Sequence, residues 1–321
     1  MEPFYIQNVT IDGLFGTRKI VWDLRKDVNI LGGPNGSGKS IILRACYELL
    51  ANGEIDDFRC CNTIKSIKML FTNGWVLSWQ VYSNDEAKLQ KENLIIPVNT
   101  KYFQAYKLTD NEGNDLNKSV NGLEGLRVKY INSFEQRIAD AIRLSKLPND
   151  NRSEDSTLLD ELIEKEWNIR NDIYVREYAS FLEGFRKGEK SGFNVESYEE
   201  FFKFFDACRR FFSDYNGITV NNDLKFVRNN VTIPYTALSM GEKQLLLILL
   251  MVTNTQSQPA IFIMDEPDLG MHVDWKKKLL KEIHNLNPYI QLIVSTHAPS
   301  MVTGWYDCVK EISQITLAGE D

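Results

Sequence analysis

The chain has 321 residues, 43% of them hydrophobic and 25% charged, which predicts a globular protein with one large core or two modest domains. Its net charge of −7 argues against a generally basic nucleic-acid binder, although it leaves room for a local basic groove. The five cysteines form no C-x-x-C pair, no cationic segment precedes an apolar run at the start, and the longest apolar run, 245–252, is too short to span a bilayer. We therefore expect a reduced, cytoplasmic setting without a disulfide framework, a zinc site or a membrane partner.

The first part of the chain alternates strand-like runs with turns. Residues 4–10 and 18–24 predict two strands, and glycine-containing turns lie between them. A short apolar run at 28–31 predicts a buried strand, and residues 41–50 predict a helix with Gly53 just past its end.

A glycine-rich loop joins that strand to that helix and matches the phosphate-loop pattern G-x-x-x-x-G-K-[ST] over residues 33–40. Glycines let backbone N–H groups approach phosphate oxygens, and the N-terminus of the following helix adds a favourable dipole for an anion. Lys39 supplies a point charge for the β- and γ-phosphates of ATP, and Ser40 offers a hydroxyl to Mg²⁺. The flanking strand and helix argue against a chance match. The predicted nucleotide-binding residues of the loop are Gly33, Asn35, Gly36, Ser37, Gly38, Lys39 and Ser40.

An antiparallel sheet is predicted beside this unit. Residues 64–82 contain two strand-like runs joined across Asn73-Gly74, which is a hairpin signal. Residues 102–108 and 126–131 predict further strands. The expected arrangement is an antiparallel sheet next to a mostly parallel core.

Composition changes in the middle of the chain. Residues 154–187 show the three-and-four apolar spacing of a helix, and a second helix at about 195–215 carries six phenylalanines. Packing is the favoured interpretation of these rings over a partner-docking surface. We predict that residues 145–216 form a helical subdomain inserted in an ATP-binding core made of residues 1–144 and 217–321.

Two adjacent carboxylates follow an apolar strand predicted at 260–264. In a phosphoryl-transfer site the first of them, Asp265, holds Mg²⁺ directly or through water. The second, Glu266, is placed to polarise the attacking water as a general base. A buried strand with an acidic turn is the structural alternative, but the phosphate loop in the same chain favours the functional interpretation.

Two further stretches place polar groups at the ends of regular elements. Ser239 is a good N-cap for the apolar helix around 245–252, and Glu242 completes a capping box. A capped helix N-terminus with an exposed serine and glycine is also an anion site. An apolar strand at 291–294 ends in Ser-Thr-His, where His297 is one of only three histidines.

Together these four motifs resemble those of the ABC-type ATPases. Residues 238–244 (LSMGEKQ) are similar to the ABC signature, residues 265–272 (DEPDLGMH) to the second Walker motif, and residues 295–300 (STHAPS) to the switch-histidine region. These variants are typical of the SMC, RecF and OLD side of the superfamily, which includes stand-alone AAA-family ATPases of anti-phage defence operons such as Septu, retron and PARIS. The resemblance covers nearly the whole chain. It implies an α/β P-loop NTPase fold, an ABC-ATPase head with a mixed central sheet, an antiparallel β subdomain and an inserted helical lobe.

The resemblance also implies a dimeric mechanism. ABC-type ATPases hold two ATP molecules between head-to-tail subunits, so a second copy of this chain is the expected partner. Ser239 and Gly241 of one subunit would meet the γ-phosphate bound at Lys39 of the other. Glu266 would be the catalytic base, and His297 would contact the γ-phosphate.

Other residues receive roles from the same resemblance. Gln136 falls where the family has its Q-loop, which implies that it contacts Mg²⁺ and links the metal to motion of the helical lobe. Gln104 is the competing candidate. His272 falls in the D-loop region at the subunit interface, and Phe15 and Arg18 are the candidates for contacting adenine.

Two functions fit these motifs. In the first, ATP-driven dimerisation regulates a separately encoded effector, a nuclease or toxin, in anti-phage defence, because the ATPase motifs are complete and only about two dozen residues follow His297. In the second, a DNA-repair or chromosome-maintenance ATPase clamps DNA directly, which needs a basic groove on the dimer. The motif variants and the large helical insert argue against a transporter subunit.

Overall fold

Three β-sheets and a group of helices make up the described part of the chain. The computed structural model describes residues 4–53, 55, 63–83, 95–97, 102–116, 126–132, 157–186, 195–215, 217–221 and 223–317. Among the helices of these segments, none is both long and apolar enough to cross a bilayer.

The central sheet is parallel and has five strands in the described segments. Their order is β14 (Val309–Glu311), β3 (Val28–Gly32), β13 (Ile290–Ser295), β12 (Ala260–Asp265) and β8 (Arg127–Asn132). Every residue of β3, β12 and β13 is buried, as expected for strands that are covered on both faces. Because the strands are parallel, the residues that follow β3, β8, β12 and β13 meet at one edge of the sheet.

The second sheet is antiparallel. Its described strands follow the order β15 (Thr316–Leu317), β2 (Arg18–Asp23), β1 (Ile6–Leu14), β4 (Ser66–Phe71), β5 (Val76–Ser83), β7 (Tyr102–Thr109) and β6 (Ile95–Pro97). The predicted Asn-Gly hairpin joins β4 to β5. There Gly74 has a φ of 84°, and its N–H donates to the Phe71 carbonyl at 2.9 Å.

Helix α1 (Lys39–Asn52) lies between the two sheets. Its side chains Ile42 and Leu49 share one core cluster with the antiparallel sheet and with Ile261 and Ile263 of β12. The intervening β12 residue Phe262 belongs to a second cluster on the other face. Since side chains alternate along a strand, β12 is packed from both sides.

Helices cover the other face of the central sheet. They are α2 (Leu158–Arg186), α3 (Val195–Phe211), α4 (Met240–Thr253) and α5 (Val273–Leu286). Helix α4 is buried along nearly its whole length, with α2 and α3 packed on it. A three-stranded antiparallel sheet follows α3, and a short helix precedes β15; these elements are β9 (Gly217–Asn221), β10 (Asp223–Arg228), β11 (Val231–Pro234) and α6 (Ile312–Ile315).

The predicted α/β class is confirmed, with the parallel and antiparallel strands divided between separate sheets. Packing is also confirmed for four of the phenylalanines, because Phe204, Phe205, Phe211 and Phe212 are buried in the helical core. Sequence analysis did not predict β6, β9, β14 and β15, which are short. Helices α2 and α3 lie within the interval 145–216, whose limits as a subdomain stay a prediction.

Candidate active site

The loop 33–40 lies at the carboxyl end of β3, and its glycines have backbone angles that favour glycine. The φ angles of Gly33, Gly36 and Gly38 are 137°, 74° and 108°. A side chain at Gly38 would also crowd Phe15, since an added Cβ would lie 3.1 Å from Phe15 Cε2. These backbone angles and the close contact with Phe15 explain why the loop has glycine at these residues.

Lys39 is 5% exposed and turns back onto its own loop. Its Nζ donates to the carbonyl oxygens of Gly33 at 2.9 Å and Pro34 at 3.0 Å. Burial lowers the pKa of Lys39, while nearby carboxylates, Glu266 foremost, act in the opposite direction. The buried Oγ of Ser37 has no hydrogen-bond partner among the described residues. Within the described part of the chain, the hydrogen bonds of Lys39 go to carbonyl oxygens, and such a cation beside an unpaired hydroxyl fits a loop that accepts phosphate oxygens.

Asp265 ends β12 and is held by the ends of the two neighbouring strands. Its Oδ1 accepts a hydrogen bond from Ser295 Oγ, and its Oδ2 accepts one from Asn132 Nδ2 at 3.1 Å. Ser295 and Asn132 lie directly across from Asp265 in the parallel ladders. A carboxylate with free lone pairs and a hydroxyl are oxygen ligands of the kind that Mg²⁺ prefers, so the roles of Asp265 and Ser40 in holding the metal stay predictions.

Glu266 has a left-handed backbone, with a φ of 48°, which is uncommon for a residue with a Cβ. Its N–H donates to the Ser295 carbonyl at 3.1 Å, which ties the turn to the end of β13. The Glu266 side chain is 34% exposed, and its Oε1 lies 3.4 Å from His297 Nε2. The predicted base and the predicted γ-phosphate contact are therefore neighbours, and strain of this kind is typical of active sites.

A second set of contacts, which sequence reasoning missed, ties the turn after Glu266 to the residue before His297. Thr296 Oγ1 donates to Asp268 Oδ1 at 2.8 Å, and Lys276 Nζ donates to Asp268 Oδ2 at 3.0 Å. Asp268 and Thr296 are both buried. The signal was Asp268, the second aspartate of the D-E-P-D run, because a buried carboxylate needs hydrogen-bonding or cationic partners.

The predicted capping box at the start of α4 is confirmed. Ser239 Oγ accepts from the Glu242 N–H at 3.4 Å, and Glu242 Oε2 accepts from the Ser239 N–H at 2.7 Å. Gly241 packs on the turn that follows Glu266, since an added Cβ would lie 2.2 Å from the Gly270 carbonyl oxygen. The first turn of α4 is thus in backbone contact with the segment that carries the predicted base.

Ser239 and His272 open onto a cavity of about 550 Å³, which lies between the end of α3, the first turn of α4 and the start of α5. Among the described residues that line it, none belongs to the loop 33–40, and neither Asp265 nor Glu266 takes part. Ser239 therefore opens onto a cavity that the described residues of the loop 33–40 do not line.

Gln136 lies outside the described residues, so its Mg²⁺ contact stays a prediction. Gln104 is buried in the antiparallel sheet, where its Oε1 accepts from the Ile55 N–H at 3.1 Å and from Trp79 Nε1 at 2.7 Å. These bonds give Gln104 a structural role away from the strand ends where Asp265 lies.

An exposed aromatic ring borders the phosphate loop. Phe15 is 43% exposed and has a φ of 53°, and the Arg18 guanidinium carbon lies 5.7 Å from the centre of its ring. A flat ring beside the loop offers a surface on which a base can stack. Phe15 and Arg18 remain the candidates for contacting adenine.

Comparison with protein families matches residues 114–302 to the family described as "AAA domain, putative AbiEii toxin, Type IV TA system". The matched stretch spans more than half of the chain and contains Ser239, Asp265, Glu266 and His297. The chain belongs to this AAA-domain family. Membership makes it a nucleotide-binding protein of the ATPase type. The match begins after the loop 33–40, so the nucleotide-binding assignment of that loop depends on its own sequence and geometry.

Relatives of this AAA-domain protein include proteins named for Septu and for retrons. It is 23% identical over 314 residues to the Septu protein PtuA of Bacillus thuringiensis, an alignment that covers 92% of this chain and 72% of PtuA. It is 25% identical over 169 residues to the Retron Vc95 probable ATPase of Vibrio cholerae serotype O1 biovar El Tor, covering 48% of this chain and 29% of that relative. Among solved structures, the SMC head domain from Thermotoga maritima is 13% identical, with a TM-score of 0.47 and coverage of 95% of this chain and 94% of that chain. The predicted resemblance to Septu and retron ATPases is confirmed.

Proposed function

We propose that this AAA-domain protein binds ATP with Mg²⁺ and hydrolyses it. The observation that carries the proposal is the meeting of Lys39, Asp265, Glu266 and His297 at one edge of the central sheet, where β3, β12 and β13 end. Asp265 and Glu266 both act on the charge of Lys39, and Glu266 lies 3.4 Å from His297. A buried cation, a carboxylate for the metal and a second carboxylate beside an imidazole are the groups that ATP hydrolysis requires.

The residues divide the chemistry between them. Lys39 exchanges the Gly33 and Pro34 carbonyls for phosphate oxygens and so offsets the charge that develops on the γ-phosphoryl group. Glu266 takes the proton of the attacking water, and His297 beside it orients the γ-phosphate. Ser40 and Asp265 would hold Mg²⁺, which would supply positive charge to neutralise the phosphate oxygens.

The position of Ser239 supports a dimeric mechanism. Its capped helix N-terminus opens onto a space that the described residues of the loop 33–40 do not line. Ser239 is therefore available to the γ-phosphate held at Lys39 of a second copy, which gives a head-to-tail dimer with two ATP molecules between the subunits. Because ATP then binds the closed dimer in preference to the monomer, it shifts the population toward the dimer, and hydrolysis reverses the shift.

We infer that this cycle controls a separately encoded effector, a nuclease or toxin, in anti-phage defence. The support is the similarity to proteins named for Septu and retron systems, together with a family description that names a toxin–antitoxin system.

Glu266→Gln tests hydrolysis and dimerisation together. The amide keeps the shape of the side chain but does not accept the proton, so the hydrolysis rate is expected to fall by about 10²–10⁴-fold. ATP-bound dimers should then accumulate. Phosphate release measures the rate, and light scattering after gel filtration in ATP and Mg²⁺ measures the mass. Glu164→Gln makes the same change at an exposed position of α2 and is the matched control.

The mass and the hydrolysis rate test two separate parts of the proposal. A Glu266→Gln protein that stays monomeric in ATP would rule out the sandwich dimer. A Glu266→Gln protein that hydrolyses at the wild-type rate would show that another group is the base.

Direct clamping of DNA is a second candidate function, and one surface favours it. A groove of about 550 Å³ on the antiparallel sheet is lined by Lys19, Lys68 and Lys107. Lys19 lies 3.6 Å from Asp12, whereas Lys68 and Lys107 share one cross-strand row through Ser78. Salt-sensitive DNA binding by the purified chain that is lost in Lys68→Glu/Lys107→Glu would favour this function.

A further inference from the structure

Tyr215 follows α3 and contacts the capping box at the start of α4. Its hydroxyl donates to Glu242 Oε1 at 2.9 Å. The other oxygen of that carboxylate, Oε2, accepts from the Ser239 N–H at 2.7 Å. The Glu242 carboxylate is thus held between the phenol of Tyr215 and the backbone of Ser239, one oxygen to each.

The Tyr215 ring is itself held in place. It packs edge-on against Phe212 and Phe226, with ring centres 5.8 Å and 5.4 Å away, and the Arg228 guanidinium carbon lies 5.7 Å from its centre. Desolvation, followed by the hydrogen bond to Glu242, raises the pKa of Tyr215 to about 12. The phenol therefore keeps its proton at neutral pH and remains a donor.

Helix α4 has a second, independent anchor one residue further along. Lys243 Nζ lies 2.8 Å from Asp160 Oδ1 of α2, and both side chains are buried. This ion pair holds the helix on the body of the protein whether or not Tyr215 has a hydroxyl. Removing that hydroxyl therefore changes the orientation of the Ser239 cap, while α4 stays bound to α2 through the ion pair.

We propose that Tyr215 is a positioning residue for ATP hydrolysis, which acts through Glu242 to aim Ser239 and the first turn of α4 at the γ-phosphate of the second copy. The proposal depends on the dimeric mechanism proposed above. Tyr215, Glu242 and Ser239 all line the same cavity of about 550 Å³, which admits water. Without the phenol hydroxyl, water from the cavity replaces it as the hydrogen-bond donor to Glu242 but does not fix the orientation of the carboxylate. Ser239 then loses its alignment toward the γ-phosphate, while the fold persists.

Tyr215→Phe tests this role because it removes one hydroxyl and keeps the ring. At saturating ATP and protein, hydrolysis is expected to fall on the order of tenfold, the factor that a hydrogen bond to a charged acceptor contributes. The affinity of the monomer for a fluorescent ATP analogue should stay within about twofold of wild type, because that site is built from other residues. In a Glu266→Gln background, the dimer's dissociation constant in ATP should rise on the order of tenfold. The matched control is Tyr289→Phe, an exposed tyrosine just before β13, at the opposite edge of the sheet from Asp265.

A double-mutant cycle separates positioning from a general loss of stability. If Tyr215 acts through Glu242, then adding Tyr215→Phe to Glu242→Ala should change the hydrolysis rate by less than about twofold. A further tenfold loss in that background would overturn the proposal, and so would wild-type hydrolysis by Tyr215→Phe alone. Failure of the wild-type protein to dimerise in ATP would instead overturn the dimeric mechanism, and Tyr215 would lose its proposed role with it.

Discussion

Gly241→Ala tests the contact between the first turn of α4 and the segment after Glu266. The added Cβ would lie 2.2 Å from the carbonyl oxygen of Gly270, 2.8 Å from its carbonyl carbon and 3.3 Å from Met271 Cα. All three are backbone atoms, so no side chain can rotate out of the way. One of the two segments must move by roughly 1 Å before the atoms reach a normal separation.

Two opposing effects set the size of the change in stability. Alanine is favoured over glycine in a helix by about 0.5–1 kcal/mol, and Gly241 lies in the first turn of α4. Overpacking against surroundings that cannot yield costs about 1–3 kcal/mol. Because the contact with Gly270 is made by backbone on both sides, we expect the upper part of that range, and the free energy of unfolding should fall by about 1–2 kcal/mol overall.

The assay combines urea denaturation with the hydrolysis rate of the folded protein. Gly304→Ala is the comparison, since Gly304 has a φ of 84° and an added Cβ would meet nothing within 4 Å. Gly304→Ala should cost stability through its backbone alone and leave hydrolysis unchanged. Gly241→Ala should lose both stability and hydrolysis, because the displaced segment carries Glu266. Wild-type stability and wild-type hydrolysis in Gly241→Ala would refute the reasoning.

Two further predictions concern stability. Glu266→Gly should be more stable than Glu266→Ala by about 1 kcal/mol, because only glycine adopts the φ of 48° without strain; equal urea midpoints would contradict this. Lys243→Met should reduce the free energy of unfolding by about 3 kcal/mol, because it removes the cation from the buried Asp160 carboxylate, which keeps its hydrogen bonds from Thr157. Adding Asp160→Asn should restore part of that loss, and a double variant less stable than Lys243→Met would argue against the ion pair as the cause.

The core of the site follows from sequence pattern because it depends on where parallel strands end. Strands β12 and β13 are apolar runs, each followed at once by polar residues. Parallel strands place those residues at one edge of a sheet, so Asp265, Glu266 and His297 can be expected near Lys39 without coordinates. The structure brings these side chains together, and it confirms the capping box of Ser239, whose partners are only three residues apart.

Other features depend on how elements pack and have no local signature. The bonds from Thr296 to Asp268 and from Lys243 to Asp160 join residues that are 28 and 83 positions apart. Each buried charge indicates that a partner exists, but sequence alone does not say which residue it is. Likewise, the left-handed Glu266 donates its N–H to Ser295 at the end of β13, a contact between residues 29 positions apart.

These contacts together show why the segment 265–271 is central to the proposed cycle. On one side it is bonded to the end of β13 through Ser295 and Thr296. On the other side, Gly270 packs directly on Gly241 in the first turn of α4. Close-packed backbone transmits a displacement and does not absorb it. In the proposed dimer, a γ-phosphate that arrives at the first turn of α4 from the second copy would therefore act on Glu266 of the same chain, and the two ATP sites would be coupled.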